Sequence, residues 1–168
     1  MFSRTKARHS QNAYVTTDIN AAMAIWRDQF GVASFHVFTN DGPGLECVPQ
    51  YRMKIALANV GGLEIELIEP FHGQAPLHAA TLPIDGSFAM AFHHIALRID
   101  GELADFEAHM ASLDPGLHPV VWSGALGNVM RYAYTDERGT LGHYVEHVWF
   151  DSDFYAMMAA SIPAYPAP

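Results

Sequence analysis

An internal repeat is the feature of this 168-residue sequence that most constrains its fold. In each half, an apolar strand-like stretch leads through an aspartate, Asp18 or Asp100, into apolar residues that recur with the spacing of an amphipathic helix. These residues are Ile19, Met23, Trp26 and Phe30 in the first half and Leu103, Phe106, Met110 and Leu113 in the second, offset by 83 or 84 residues. Two unrelated amphipathic helices are the simpler explanation, but they rarely keep such a constant offset. We therefore interpret the halves as two copies of one module.

Strand-like segments follow each predicted helix, and each half closes with a strongly apolar or alternating strand, residues 62–68 and 142–148. The pattern predicts an α+β fold in which two tandem βαβββ modules form an open, cup-shaped, mainly antiparallel sheet with helices outside. The first module is expected at residues 10–72, a linker at 73–90, the second module at 91–150, and a C-terminal helix and tail at 151–168.

The charge balance excludes some partners. Nine basic residues against eighteen acidic ones give a net charge of -9, the wrong sign for binding nucleic acid or an anionic membrane. The single cysteine, Cys47, cannot form an intrachain disulfide, and no apolar run resembles a secretory signal or a membrane span. We expect a cytoplasmic protein whose partner is a small molecule.

Alternation along the strands predicts which side chains point into the cup, because successive residues of a strand face opposite sides of a sheet. Placing the apolar residues against the helices leaves these side chains on the concave face: Gln11, Ala13, Val15, Glu64, Glu66, His94, Ala96, Arg98, Tyr144, Glu146 and Val148. His93, His143 and His147 are expected to face away, although a bulged strand would let His143 reach the site.

Four of these residues, Gln11, Glu66, His94 and Glu146, form a plausible ligand set. One imidazole, two carboxylates and one amide carbonyl suit a single divalent ion such as Zn, Ni, Co, Mn or Fe. Burying two carboxylates together is costly without a cation, which favours a metal site. The alternative is that Glu66 lies at an exposed rim and His94 is a hydrogen-bonded core histidine.

Arg98 and Tyr144 are candidate substrate-binding residues on the same face. A rim salt bridge for Arg98 and a packed core position for Tyr144 are the simpler interpretations, and we prefer them.

Four segments, QNAYVTTDINAAMAIWRDQFGV, GGLEIELIEP, FHHIALRID and LGHYVEHV, resemble the first and last strands of the two modules in the vicinal oxygen chelate superfamily. This superfamily includes glyoxalase I, methylmalonyl-CoA epimerase, extradiol dioxygenases and bleomycin resistance proteins. The resemblance extends from about Ser10 to Phe150. It implies metal ligands at Gln11, Glu66, His94 and Glu146, a set most like the glyoxalase I pattern.

The resemblance implies a metal-dependent, glyoxalase-like lyase or isomerase that acts on a small vicinal-oxygen substrate through a metal-stabilised enolate or enediolate. Glu146 is the first candidate for the base and Glu66 the second. The alternatives are a non-catalytic protein that binds a drug or an aromatic compound, and an iron-dependent extradiol dioxygenase, although Gln11 stands where that class has a histidine. The first half has no obvious basic cluster for the carboxylates of glutathione. A homodimer is expected, and the sequence leaves open whether one chain or two supply the ligands.

Overall fold

The computed structural model describes residues 6–40, 44–48, 51–71 and 75–166. These residues form four helices and one sheet of ten strands. The strands are β1 (Ala7–Thr16), β2 (His36–Thr39), β3 (Leu45–Val48), β4 (Met53–Val60), β5 (Leu63–Pro70), β6 (Met90–Ile99), β7 (Val120–Leu126), β8 (Met130–Asp136), β9 (Tyr144–Phe150) and β10 (Ala164–Tyr165). The helices are α1 (Ile19–Phe30), α2 (Pro76–Ala79), α3 (Leu103–Ala111) and α4 (Ser152–Ser161).

The two halves have the same topology, which confirms the predicted fold class. The first half runs β1-α1-β2-β4-β5, with β3 inserted, and the second runs β6-α3-β7-β8-β9. Across the sheet the order is β10-β4-β5-β1-β6-β9-β8-β7-β3, with β2 also pairing β4. Within each half the first and last strands pair in parallel, whereas β1 and β6 pair antiparallel and join the halves along the centre of the sheet.

Helix α1 begins and ends where the sequence predicts. The Asp18 side chain accepts hydrogen bonds from the backbone N–H groups of Asn20 and Ala21, and Gly31 ends the helix in the left-handed conformation with φ 73°. Its buried residues, Ile19 and Ala22, pack against the outer faces of β4 and β5. The helix therefore covers the convex side of the sheet.

Helix α3 does not begin at the predicted cap. Its N-cap residue is Glu102 rather than Asp100, and the Asp105 side chain accepts a hydrogen bond from the Glu102 backbone N–H at 2.9 Å. Gly101, with φ 110°, turns the chain between β6 and the helix and moves the helix start two residues along. Asp100 forms ion pairs with Arg8 of β1 and with Arg98 of β6.

Strand β3 links the two halves in a way that the repeat does not predict. It lies in the first half of the chain but pairs antiparallel with β7 of the second half, at the far end of the strand order. Only residues 40–44 separate it from β2, so Thr39 and Leu45 are at most about 22 Å apart. The sheet must therefore curl until its two ends approach each other. One chain builds the whole cup.

The C-terminal segment runs along the cup from the second half to the first. Helix α4 follows β9, and after it β10 pairs in parallel with β4 at Asn59 and Val60. The Tyr165 hydroxyl also accepts a hydrogen bond from the Ser34 backbone N–H at 2.7 Å. In the expected linker, residues 75–90 include the short helix α2, and residues 73–74 lie outside the described part. No helix in the described part of the chain is long and apolar enough to cross a membrane.

Candidate functional site

The strand register brings the predicted residues together at the centre of the cup. One row of paired residues runs through Glu64, Gln11, Ala96 and Glu146, and the next row on the same face runs through Glu66, Ala13, His94 and Tyr144. Because Ala13 and Ala96 carry only a methyl group, they leave room above β1 and β6 for the longer side chains beside them. Gln11, Glu66, His94 and Glu146 are each less than one-tenth exposed.

His94 is at the centre of this group. Its Nε2 lies 3.4 Å from Glu66 Oε2, 3.5 Å from Glu146 Oε2 and 3.2 Å from the Tyr134 hydroxyl. Gln11, Glu66 and Glu146 all line one cavity inside the cup. All four predicted ligand residues come from one chain, two from each half.

The contacts of His94 Nε2 with the two carboxylates are longer than ordinary charge-assisted hydrogen bonds. A charge-assisted N–H···O bond is about 2.7–2.9 Å long, shorter than either contact between His94 and a carboxylate. Glu66 Oε2 is buried and makes no hydrogen bond. Two ligand atoms bound tetrahedrally at about 2.1 Å lie about 3.4 Å apart. In the described part of the chain, however, no group of three or more His, Cys, Asp or Glu side chains is arranged to hold a metal ion. An ion held at this position would require these side chains to move and would need the Gln11 amide and an external oxygen as further ligands.

The electrostatics of the site show how strongly its charges interact. Burial and the neighbouring Glu146 charge raise the pKa of Glu66, while His94 opposes the rise. Burial alone would lower the pKa of His94, but its contacts with Glu146 and Glu66 outweigh burial and raise that pKa to about 9. Burial and the same two carboxylates raise the pKa of Glu64 to about 8. The two carboxylates therefore favour a positive charge at His94.

His93 lies on the cup side of the sheet, contrary to the prediction. The pairing of β1 with β6 shifts by one residue between Ala13–His94 and Tyr14–Phe92, so His93 is the extra residue of a β-bulge. Its ring packs against Tyr144 at 4.9 Å, and its Nδ1 lies 2.8 Å from His94 Nδ1. Simple alternation missed it because a bulge puts two successive side chains on one face.

The bulge creates a chain of hydrogen bonds behind His94. If His94 Nε2 offers its lone pair to a ligand, its Nδ1 carries the proton and donates to His93 Nδ1. His93 Nε2 then carries a proton and donates to the Leu77 carbonyl, 3.4 Å away. On the other side, His93 stacks on His78 of α2 with ring centres 4.7 Å apart. A histidine ligand is typically oriented by such an acceptor at its second nitrogen.

Tyr134 is a site residue that the sequence analysis did not identify. Its hydroxyl contacts His94, and burial and the charges of Glu146 and Glu66 hold its pKa well above the usual value. The hydroxyl therefore stays protonated and can donate a hydrogen bond. The signal was the Tyr132-x-Tyr134 alternation in β8, which puts both rings in the cavity wall.

The two candidate substrate-binding residues have structural contacts. Arg98 pairs with Asp100 at 2.9 Å, and its guanidinium lies 3.8 Å from the centre of the Tyr155 ring in α4. It borders a smaller pocket beside the main cavity. Tyr144 belongs to the buried core and does not border the main cavity. The structure places both residues in the simpler positions preferred from the sequence.

His147 and His143 do not contact the four central residues. His147 bonds to His109 of α3 at 2.9 Å, on the convex side, as expected. His143 packs its ring against Phe92 at 5.3 Å. A bulge that would turn His143 toward the site is not seen, because β9 pairs with β6 without interruption. The bulge near the site lies in β6, at His93.

The main cavity has a volume of about 330 Å³, and most of the residues that line it are apolar. The carboxylates and Gln11 form its polar part, and the walls are mostly aromatic and aliphatic. Representative wall residues are Ile55, Trp122, Met130, Tyr132, Phe150 and Met158. A cavity of this size suits a small ligand rather than a polymer.

Comparison with known proteins identifies the family. The model of the "Glyoxalase/Bleomycin resistance protein/Dioxygenase superfamily" matches residues 10–134, about three-quarters of the chain. The chain therefore belongs to this family, the one that the sequence motifs resemble. A search of curated proteins gives no significant match.

Solved structures with the same fold include several methylmalonyl-CoA epimerases. The Mycobacterium tuberculosis enzyme is 17% identical, with a TM-score of 0.61 over 93% of this chain and 97% of its own. A Streptomyces coelicolor variant in complex with 2-nitronate-propionyl-CoA is 20% identical, with a TM-score of 0.59 over 88% and 97%. An epimerase in complex with methylmalonyl-CoA and ammonium is also 20% identical, with a TM-score of 0.58 over the same shares. At these identities the likeness establishes the fold.

Proposed function

We propose that this protein is a metal-dependent lyase or isomerase of the glyoxalase-like type, acting on a small substrate with oxygens on neighbouring carbons. The observation that carries the proposal is His94 Nε2 at 3.4 and 3.5 Å from the carboxylate oxygens of Glu66 and Glu146, two buried residues that line the main cavity. A buried carboxylate with a raised pKa, such as Glu66, in the wall of a cavity is typical of a catalytic site.

The residues that would hold the ion are Gln11, Glu66, His94 and Glu146. Their donor set fits Zn, Ni, Co, Mn or Fe and does not favour a soft metal such as Cu(I). When bound, a divalent ion polarises a substrate carbonyl and makes the neighbouring C–H more acidic. The remaining chemistry belongs to the protein.

Glu146 is the first candidate for the base that removes this proton, and Glu66 is the second. Both line the cavity, and either carboxylate can accept a proton from one carbon and return it to another position. Glu64, in the row beside them, is a third carboxylate on the same wall. Its raised pKa favours the protonated acid at neutral pH, a form that can return a proton.

The structural neighbours support an isomerase. Their names describe epimerases that bind methylmalonyl-CoA or a nitronate analogue of an acyl-CoA, and epimerisation of such a compound requires proton transfer next to a carbonyl. The same type of proton transfer underlies the glyoxalase-like reaction.

A non-catalytic small-molecule binding protein is the second candidate function. The mostly apolar cavity wall favours it, since such a wall can retain an aromatic compound without chemistry. The two functions differ in whether the carboxylates exchange protons with the ligand. An extradiol dioxygenase is the least favoured alternative, because Gln11 stands at a position where that class uses histidine.

The test of the proposed function is the substitution Glu146→Gln. An amide keeps an oxygen ligand but cannot accept a proton, so we expect C–H exchange to fall about 10²–10⁴-fold while the fold is retained. Exchange with deuterated solvent would be followed by NMR on hemithioacetals, 2-hydroxy ketones and acyl thioesters. Glu107→Gln, on the exposed face of α3, is the matched control. Undiminished exchange in Glu146→Gln would transfer the role of base to Glu66 or Glu64.

We also propose a cytoplasmic homodimer with a complete site in each chain. The dimer rests on apolar surface that the chain leaves uncovered, including Phe30, Ile84 and Leu141. Sedimentation at micromolar concentration would detect it, and a purely monomeric profile would contradict it.

A further inference from the structure

The ionisable side chains of the main cavity are mainly carboxyl groups. Among the described residues that line it are Glu64, Glu66 and Glu146, and no lysine or arginine is present. A divalent ion would offset the charges of two carboxylates, and the third carboxyl group, Glu64, favours its protonated form. Nothing on the described wall compensates a carboxylate or phosphate on the part of a ligand that points away from the ion.

Several basic residues of the chain have partners elsewhere. Of nine in the sequence, eight lie in the described part, namely Lys6, Arg8, Arg27, Arg52, Lys54, Arg98, Arg131 and Arg138. Lys6 pairs with Asp105, Arg27 with Asp28 and Arg138 with Asp136. None of the eight borders the main cavity.

Arg98 and Arg8 border the smaller adjoining pocket, whose lining shares Gln11 and Glu64 with the main cavity. Both pair with the same carboxylate, Asp100. Arg98 is also covered by the Tyr155 ring, and its Nη1 is buried without a hydrogen bond. Because Tyr155 covers this guanidinium, it is not presented to a ligand in the main cavity.

The remaining wall of the cavity offers apolar contact. Helix α4 contributes Phe154 and Met158, and β7 and β8 contribute Trp122, Met130 and Tyr132. Aromatic rings and methionines of this kind bind flat, apolar groups and make no ion pairs. The volume of about 330 Å³ lies at the lower end of the range for small-molecule sites.

We infer that the ligand of this cavity is uncharged outside its reacting oxygens and mostly apolar, such as an aryl or alkyl 2-hydroxy ketone. The inference names the substrate class of the proposed function and rests on that function for the placement of the two oxygens. It sets this chain apart from enzymes whose substrates carry phosphates or several carboxylates, including coenzyme A thioesters and glutathione adducts.

The test compares two ligands that differ at one distant group, which is a neutral methyl ester in one and a carboxylate in the other. The probes are methyl 4-(2-hydroxyacetyl)benzoate and its free acid, which is ionised at pH 7.5. Both carry the same hydroxy ketone, so the difference between them reports on the wall and not on the ion. Binding would be measured by calorimetry and by quenching of Trp122, with and without added Zn²⁺. Propionyl-CoA is the third probe.

We expect the ester to bind at least about tenfold more tightly than the acid, and propionyl-CoA more weakly than the ester. Equal or tighter binding of the acid or of propionyl-CoA would overturn the inference, as would failure of the ester to bind. The outcome is separable from the proposed function. If the ester binds preferentially but shows no C–H exchange with Zn²⁺, the catalytic proposal fails and the substrate class stands.

A charge added to the wall sharpens the test. Met130→Lys places an ammonium group at the cavity, whereas Val120→Lys places it on an exposed position of β7 that does not border the cavity. We expect Met130→Lys to reduce the preference for the ester at least about tenfold and Val120→Lys to leave it unchanged. A similar change in both variants would contradict the role of the wall.

Discussion

The two halves of the cup share one topology but contribute different kinds of groups to the site. The first half contributes Gln11, Glu64 and Glu66, which are flexible amide and carboxylate side chains. The second half contributes His94 inside a cluster of packed rings, together with Glu146. His94 contacts the rings of Tyr134 at 4.8 Å and of His93 at 5.1 Å.

This difference indicates a division of labour. Ring packing and the hydrogen bond to His93 fix the orientation of His94, whereas Glu66 Oε2 has no hydrogen-bond partner to fix it. If the protein binds a divalent ion as proposed, the fixed imidazole would hold it while a more mobile carboxylate accepts the substrate proton. We therefore expect the second half to determine ion affinity and the first half to adjust it.

The largest effect should distinguish His94 from Gln11, the equivalent position of the first half. His94→Asn removes the imidazole donor, and we expect Zn²⁺ binding to fall below detection. Gln11→Ala removes one neutral oxygen donor, and we expect a loss of about tenfold, or near 1.4 kcal/mol. Calorimetric titration of metal-depleted protein with Zn²⁺ measures both. Equal losses of Zn²⁺ affinity in the two variants would contradict the idea that the two halves have different roles.

A smaller effect is expected from His93, whose counterpart in the first half, Ser10, is also the extra residue of a β-bulge but carries no ring. His93→Phe keeps a ring for packing against His78 and Tyr144 but removes the acceptor for His94 Nδ1. We expect Zn²⁺ affinity to fall about 10–100-fold, the usual effect of losing such a partner. The melting temperature of the metal-depleted protein should change little.

His143→Phe is the matched control for this substitution, because that ring lies against Phe92 and has no contact with His94. If both variants bind Zn²⁺ as well as the parent, His93 has only a packing role. The Co²⁺ absorption spectrum gives a second readout, since it changes when the imidazole ligand rotates.

Much of the fold and of the candidate site could be predicted from the sequence, because these features depend on short segments of the chain. The cap at Asp18, the stop at Gly31 and the alternation that places Glu66 and Glu146 inside the cup follow from backbone geometry and side-chain period. The placement of His94 also follows, because the strand is regular from that residue to its end.

The errors occur where two elements interact. The bulge at His93 is set by the pairing of β1 with β6, and the start of α3 at Glu102 is set by Gly101 and by the use of Asp100 in ion pairs. Pairing of β3 with β7 depends on the curl of the whole sheet. None of these features leaves a periodic signal in one segment.

His78, in the segment that connects the two halves, should make the stability of the protein depend on pH. It is fully buried in α2, both ring nitrogens lack hydrogen bonds, and burial lowers its pKa well below the usual value. Below pH 6.5 the unfolded chain protonates this histidine and the folded chain does not, so stability is lost as the pH falls. Leucine does not titrate. As the pH falls, we therefore expect the free energy of unfolding of His78→Leu to rise relative to that of the parent by up to about 1.4 kcal/mol per pH unit. Urea unfolding at pH 8, 6 and 5 measures it. A difference that is constant with pH would contradict the buried neutral state.

The smallest expected effect compares the caps of the two outer helices. Asp18 accepts two backbone N–H groups at the start of α1, whereas Asp105 accepts one at the start of α3 and also pairs with Lys6 at the surface. Because a cap typically contributes about 1 kcal/mol and an exposed ion pair much less, Asp18→Ala should cost about 1 kcal/mol and Asp105→Ala should cost less. Urea unfolding gives both values. In 0.5 M NaCl the cost of Asp105→Ala should fall further, since salt screens the surface ion pair, while the cost of Asp18→Ala should change less. A larger loss from Asp105→Ala at both salt concentrations would mean that α3, not α1, depends more on its cap.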